Sequence, residues 1–132
     1  MEKEVSIAAN KTKQFYYENL TWERLLDFFK QENAILKTRL SEVVDQLTDK
    51  DFIELAEHFQ NVFIIKDEFI DELRHDINNH EILLNTLLAS TDEIADKKIL
   101  KKQEKLRNEM EALEKDFTKD KNQFNKYLAS IL

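Results

Sequence analysis

The fold of this chain is decided by residues 51–90, which read DFIELAEHFQNVFIIKDEFIDELRHDINNHEILLNTLLAS. Within this stretch, mainly apolar residues recur at alternating spacings of three and four, the pattern of a helix that buries one face against other helices. This stripe consists of Phe52, Ala56, Phe59, Phe63, Lys66, Ile70, Leu73, Ile77, His80, Leu84 and Leu87. A helix of this length needs partners along its whole buried face.

The sequence on either side supplies two partner stripes of the same period. One covers residues 5–47 and the other covers residues 99–131. Polar clusters at residues 48–51 and 90–93 separate the three stripes, and their Ser, Thr and Asp residues favour helix N-caps. The sequence therefore predicts three helices over about residues 4–47, 50–90 and 92–131.

The composition favours an all-α protein. The 132 residues include no Gly and no Pro, and 36% of them are charged. Tight hairpins and sheet bends usually need Gly or Pro. We therefore predict an all-α, elongated antiparallel three-helix bundle with coiled-coil-like seams, formed by residues 1–132 as a single domain. Residues 1–20 have the poorest stripe, and for them a frayed end or a separate short helix is the alternative.

The register of the three helices follows from simple arithmetic. Antiparallel helices joined by short turns pair residues whose numbers add up to a constant. Pairing Leu47 with Phe52 gives 99 for the first two helices. A constant of 183 for the second and third helices pairs Phe59 with Phe124. One register then satisfies both seams.

The same register groups the polar residues of the stripes. Asn33 is expected opposite Lys66, with Asp120 one layer away. Buried polar groups cost stability unless they find partners, and in coiled coils their best-attested role is to set the register. We predict that role for these three residues. We predict it also for the members of a second layer, which are Asn19, His80 and Gln103.

Lys66, Asn33 and Asp120 also fit a catalytic interpretation, in which burial beside a carboxylate activates the lysine. An enzyme site needs a concave pocket, and a slender three-helix bundle offers little cavity between its seams. A buried ion pair capped by an amide explains the same residues without chemistry. We therefore assign no catalytic residue and no cofactor, and we expect that the protein is not an enzyme.

Two histidines, His75 and His80, are candidate metal ligands or pH sensors. Glu72 and His75 have the Glu-x-x-His spacing of di-iron bundles, but such sites need a second copy of the motif and further inward glutamates. His80, on the predicted seam, fits either a pH switch or a hydrogen-bonded core histidine, and we favour the core role. A metal-binding or small-ligand-binding bundle that uses His75, His80 and nearby carboxylates is the alternative function, although we assign no metal ligand.

The charge pattern gives little support to nucleic acid or membrane partners. The formal net charge is −7, which opposes nonspecific binding of nucleic acid by the whole surface. Residues 97–107 form a basic run, but this run lacks aromatic residues for base stacking. No apolar run approaches the length of a membrane span, and the first residues have no long apolar segment. We therefore expect a cytoplasmic protein.

A second apolar line marks the candidate binding surface. Leu55, Val62 and Phe69 follow one another at seven-residue spacing on the second helix, and Phe28 and Ile35 do so on the first. The third helix carries almost no such line, so we expect the groove between helices one and two to be covered by something else. Exposed apolar strips usually mark association sites. The expected function is a non-enzymatic helical interaction or assembly module that binds a protein partner or a second copy of itself.

Overall fold

The computed structural model describes the backbone of residues 2–87 and 93–132 and the side chains of residues 11–86 and 97–132. It contains three long helices that pack against one another: α1 (Glu2–Val44), α2 (Lys50–Leu87) and α3 (Glu93–Ile131). No strand occurs in these described residues. The predicted all-α three-helix bundle is therefore confirmed.

The helices form two compact units, and each helix contributes a segment to both. Unit 1 consists of Met1–Leu26 and Glu72–Glu111, and unit 2 consists of Asp27–Asp71 and Ala112–Leu132. Every buried residue in the described part of the chain lies on one of the three predicted stripes. The core of each unit therefore follows these stripes.

The first helix ends at Val44, three residues earlier than predicted. Two tighter hydrogen bonds follow, from Gln46 N to Val43 O and from Leu47 N to Val44 O. Asp49 Oδ1 then accepts hydrogen bonds from the backbone N of Asp51 at 2.8 Å and of Phe52 at 3.4 Å. An N-cap residue is not helical, so the chain leaves α1 early enough to place this cap. The predicted second cap, at residues 90–93, lies outside the residues whose side chains are described.

Unit 2 has an aromatic core. The predicted pairing of Phe59 with Phe124 is observed, with ring centroids 5.3 Å apart. Phe63 lies 5.1 Å from the same ring, and both Phe63 and Phe124 are almost fully buried. The Tyr127 hydroxyl donates a hydrogen bond to Phe52 O at 2.6 Å, and burial raises the pKa of that hydroxyl. Such edge-to-face ring contacts add to the stabilisation from buried area alone.

Unit 1 has an aliphatic core with one tryptophan. Trp22, Leu26, Leu73, Ile77 and Leu106 are all buried in it. The backbone of residues 2–20 is continuous with the rest of α1, so these residues do not form a separate helix.

The capping role of Asp49 can be tested by substitution. Asp49→Ala removes the acceptor for two otherwise unpaired N–H groups of α2, so we expect the free energy of unfolding to fall by about 1 kcal/mol. Urea denaturation followed by circular dichroism measures the change. Thr48→Ala is the matched control in the same turn, and a loss there as large as in Asp49→Ala would contradict the assignment.

Candidate functional site

An open groove lies between α2 and α3 in unit 2. It has a volume of about 320 Å³. Its lining consists of Val62, Ile65, Lys66, Phe69, Leu113, Asp116 and Asp120. Ile65 is 63% exposed and Phe69 is 37% exposed, so apolar side chains face water along the groove.

The predicted position of the apolar line was wrong. Val62 and Phe69 were expected to face a groove between α1 and α2, but both line the groove against α3. Leu55 lies seven residues before Val62, and this spacing places it on the same flank of α2. The flank of α2 that faces α1 instead carries Gln60 and Ile64, which line a separate groove of about 310 Å³. Sequence spacing identified the line, but it did not identify which neighbour the line faces.

Phe28 and Ile35 lie on a different surface from the α2 line. Between them on the same flank of α1 is Glu32, whose carboxylate accepts a hydrogen bond from Lys121 Nζ of α3 at 2.8 Å. Phe28 and Ile35 are 52% and 61% exposed. The five predicted partner-binding residues therefore flank α3 on its two sides within unit 2, and they do not form one continuous strip.

The seam between α1 and α2 in unit 2 is closed by a polar cluster around Asp67. Asn33 is fully buried, and its Nδ2 donates hydrogen bonds to Phe63 O and to Asp67 Oδ1, each at 2.8 Å. Lys37 also binds Asp67, and Lys30 lies 3.6 Å from the same carboxylate. The expected pairing of Asn33 with Lys66 is therefore wrong, because Asp67 offers Asn33 a charged acceptor one residue further along α2.

Lys66 instead pairs with Asp120 of α3 at 3.1 Å. The side chains of Lys66 and Asp120 are 13% and 23% exposed, so the pair is mostly buried, and both residues also line the α2–α3 groove. An ion pair at this depth is screened less by salt than a surface pair. The pair thus places one positive and one negative charge in the lining of the groove.

The carboxylate of Asp67 has an altered acidity. Burial alone would raise its pKa, but hydrogen bonds from Lys37 and Asn33 and the charges of Lys30 and Lys37 outweigh burial. The net pKa of Asp67 is therefore below its usual value of 3.8.

In unit 1 the structure brings Asn19, His80 and Gln103 together. Gln103 Nε2 donates to Asn19 Oδ1 at 2.9 Å, and Gln103 Oε1 lies 2.7 Å from His80 Nε2. All three residues are at most 2% exposed. Each helix thus contributes one side chain to a buried polar layer, and its role in setting the register stays a prediction.

Glu18 and Arg107 extend this layer to the surface, and neither was among the predicted site residues. Gln103 Nε2 donates to Glu18 Oε1 at 2.8 Å, and Arg107 forms two hydrogen bonds with the same carboxylate. Burial raises the pKa of Glu18, but the bonds from Arg107 and Gln103 and the Arg107 charge bring the net pKa below its usual range. The available signal was position, because Glu18 precedes Asn19 and Arg107 lies one helical turn after Gln103.

The histidines do not converge on a common site. His75 is exposed and lies 3.2 Å from Asn79 Nδ2, whereas His80 is buried against Gln103. Within the described side chains, no group of three or more His, Asp or Glu residues is arranged to hold a metal ion. No observation therefore favours the alternative metal-binding function.

The basic run on α3 is a solvated surface. Lys97, Lys98 and Lys101 are exposed, and Lys105 forms an ion pair with Glu109 one turn away at 3.8 Å. Arg107 forms an ion pair with Glu18 at 2.7 Å. Among the residues that could be searched, no helix is long and apolar enough to cross a membrane.

Comparison with known proteins found no matching family model, no matching curated protein and no matching solved structure.

The Asp67 cluster gives a stability prediction. Asp67→Ala leaves Lys37 and one of the two N–H groups of the Asn33 amide without an acceptor in a partly buried seam, so we expect a loss of about 1–3 kcal/mol in the free energy of unfolding. Asp71→Ala is the control, because it removes only an exposed partner of Lys30 and should cost at most about 1 kcal/mol. Chemical denaturation at pH 7 measures both.

The same variant has a predicted pH dependence. The folded pKa of Asp67 is depressed, so its stabilising contribution is complete above the ordinary value of 3.8 and is lost as the pH falls through the lower folded value. The gap between wild type and Asp67→Ala should therefore be constant near neutral pH and close in strong acid. A gap that stays open when the carboxyl is protonated would contradict the assignment.

Proposed function

We propose that this chain is a non-enzymatic helical interaction module, which binds a protein partner or a second copy of itself through the α2–α3 groove of unit 2. The observation that carries the proposal is the exposure of Ile65 and Phe69 beside Val62 and Leu113 in one groove. Apolar side chains gathered in this way mark association surfaces more often than isolated exposed ones do. The assignment uses Leu55, Val62 and Phe69 from the predicted line, and it adds Ile65.

The expected mode of binding is an apolar helix face laid into the groove. Full burial of a side chain such as Ile or Phe contributes roughly 1.5–3 kcal/mol, so Ile65 and Phe69 are the natural anchors. The Lys66–Asp120 pair at the floor of the groove supplies polarity and orientation. A bound helix would exclude water from this pair and strengthen its electrostatic attraction.

Three isoleucines of nearly equal exposure allow a matched test. Ile65 lies in the groove, Ile35 lies on the α1 flank and Ile82 lies in unit 1, and they are 63%, 61% and 65% exposed. Each is changed to Glu in the 132-residue chain. Because all three side chains already face water, the melting temperatures should stay close to that of wild type.

Association is then measured in two ways. Sedimentation velocity over a range of protein concentrations reports self-association, and quantitative capture from an extract of the producing cells reports partner binding. We expect Ile65→Glu to reduce association at least tenfold, the equivalent of about 1.4 kcal/mol, while Ile82→Glu leaves it unchanged. If Ile35→Glu reduced association and Ile65→Glu did not, the binding surface would lie on the α1 flank and not in the α2–α3 groove. A wild-type chain that stays monomeric and captures nothing would overturn the proposal.

A further inference from the structure

Two adjacent residues of α2 in unit 1 face different neighbouring helices. His80 is hydrogen-bonded to Gln103 of α3, and Glu81 lies against Glu23 of α1. Adjacent positions on a helix point about 100° apart, which allows this division. Both residues are titratable, and both have a buried side-chain atom without a hydrogen-bond partner, namely His80 Nδ1 and Glu81 Oε1.

The contacts of His80 favour a neutral ring. Gln103 Nε2 donates to Asn19 and Glu18, which directs Gln103 Oε1 toward His80 as an acceptor. His80 Nε2 therefore carries the proton, and the buried Nδ1 has no acceptor to receive a second one. Burial lowers the pKa of His80, the bond to Gln103 raises it in part, and the charge of Lys102 lowers it further.

Other charges near His80 do not offset this preference. Lys102 on α3 repels a charged ring. On α1, the negative charge of Glu18 is balanced by Arg107, which donates two hydrogen bonds to the carboxylate. On α2 itself, Asp76 lies one turn away and is partly exposed to water.

The contacts of Glu81 favour the opposite state, with a proton bound. Glu23 of α1 interacts with Glu81 through a hydrogen bond and through its charge. The residues one turn away on α2 include Ile77 and Leu84, which carry no charge. In the described part of α3, no charged group bears on Glu81. Burial, then the charge of Glu23 and then the hydrogen bond between the two carboxyl groups raise the pKa of Glu81 to about 7. Two neighbouring carboxyl groups of this kind hold one proton between them.

We propose that His80 and the Glu81–Glu23 pair form two opposed pH-sensitive contacts, so that α2 packs fully against both neighbours in unit 1 only while His80 is neutral and the carboxyl pair retains a proton. Acid weakens the contact with α3 by protonating His80. A rise in pH toward neutrality weakens the contact with α1 by ionising both carboxyl groups. Over mildly acidic pH the two effects offset each other.

The direction of each effect follows from proton linkage. The folded pKa of Glu81 is raised, so its stabilising contribution is complete below the ordinary value of 4.5 and is lost as the pH rises through about 7. The folded pKa of His80 is lowered, so its contribution is complete above the ordinary value of 6.5 and is lost as the pH falls through the lower folded value. Between 4.5 and 6.5 the two slopes have opposite signs.

Two variants of the 132-residue chain separate the effects. The unfolding equilibrium constant is measured from pH 5 to pH 8 for His80→Leu and Glu81→Gln, always relative to wild type at the same pH. We expect Glu81→Gln to lose stability as the pH falls from 6.5, by up to about tenfold in the unfolding constant per pH unit. His80→Leu should gain stability over the same range, by a similar factor. His75→Leu and Glu72→Gln are the exposed controls on α2, and their profiles should parallel that of wild type.

A readout in the wild-type protein covers the case in which His80→Leu does not fold. Nuclear magnetic resonance titration of the His80 ring and the Glu81 carboxyl carbon reports each protonation step directly. We expect the His80 midpoint below 6.5 and the Glu81 midpoint well above 4.5. Ordinary midpoints at both residues, or parallel pH profiles for both variants and wild type, would overturn the proposal.

Discussion

Inside the helix seams, a polar side chain that water cannot reach must find its partner on a neighbouring helix, and the rest of the structure depends on this requirement. Asn19, Asn33, His80 and Gln103 are at most 2% exposed. Apolar contacts are not directional, so a seam of Leu and Phe tolerates a slip of one heptad with little loss. A hydrogen bond does not tolerate it, because the slip would leave a buried donor or acceptor unpaired at a cost of about 1–3 kcal/mol.

The two units satisfy that requirement in different ways. In unit 1, neutral amides and a neutral imidazole form a buried layer across the three helices, and Glu18 with Arg107 connects it to the surface. In unit 2, Asn33 of α1 binds the carboxylate of Asp67 on α2, and Lys66 of α2 binds the carboxylate of Asp120 on α3. Lys66 and Asp120 also line the proposed binding groove. In unit 2 the feature expected to set the register is thus part of the surface expected to recognise a partner.

The stripes could be predicted from the sequence because burial follows helical periodicity. The pairings of Phe59 with Phe124 and of His80 with Gln103 also followed from the predicted turn lengths. The flank positions could not be assigned, because periodicity gives the angle of Val62 or Phe69 around α2 but not the handedness that decides which neighbour lies there. The partner of Asn33 was missed for a related reason. The register placed Asn33 opposite Lys66, but it did not show that the amide would bind Asp67, one residue further along α2.

The hydrogen bonds within the buried layer of unit 1 imply that its polar residues are energetically coupled, and a double-mutant cycle between Asn19 and Gln103 measures this coupling most directly. Asn19→Leu, Gln103→Leu and the double variant are compared with wild type by denaturation. Each single change leaves a buried partner unpaired, so the double variant should be more stable than the sum of the single losses predicts, by about 1 kcal/mol or more. Losses that add within about 0.5 kcal/mol would contradict the account.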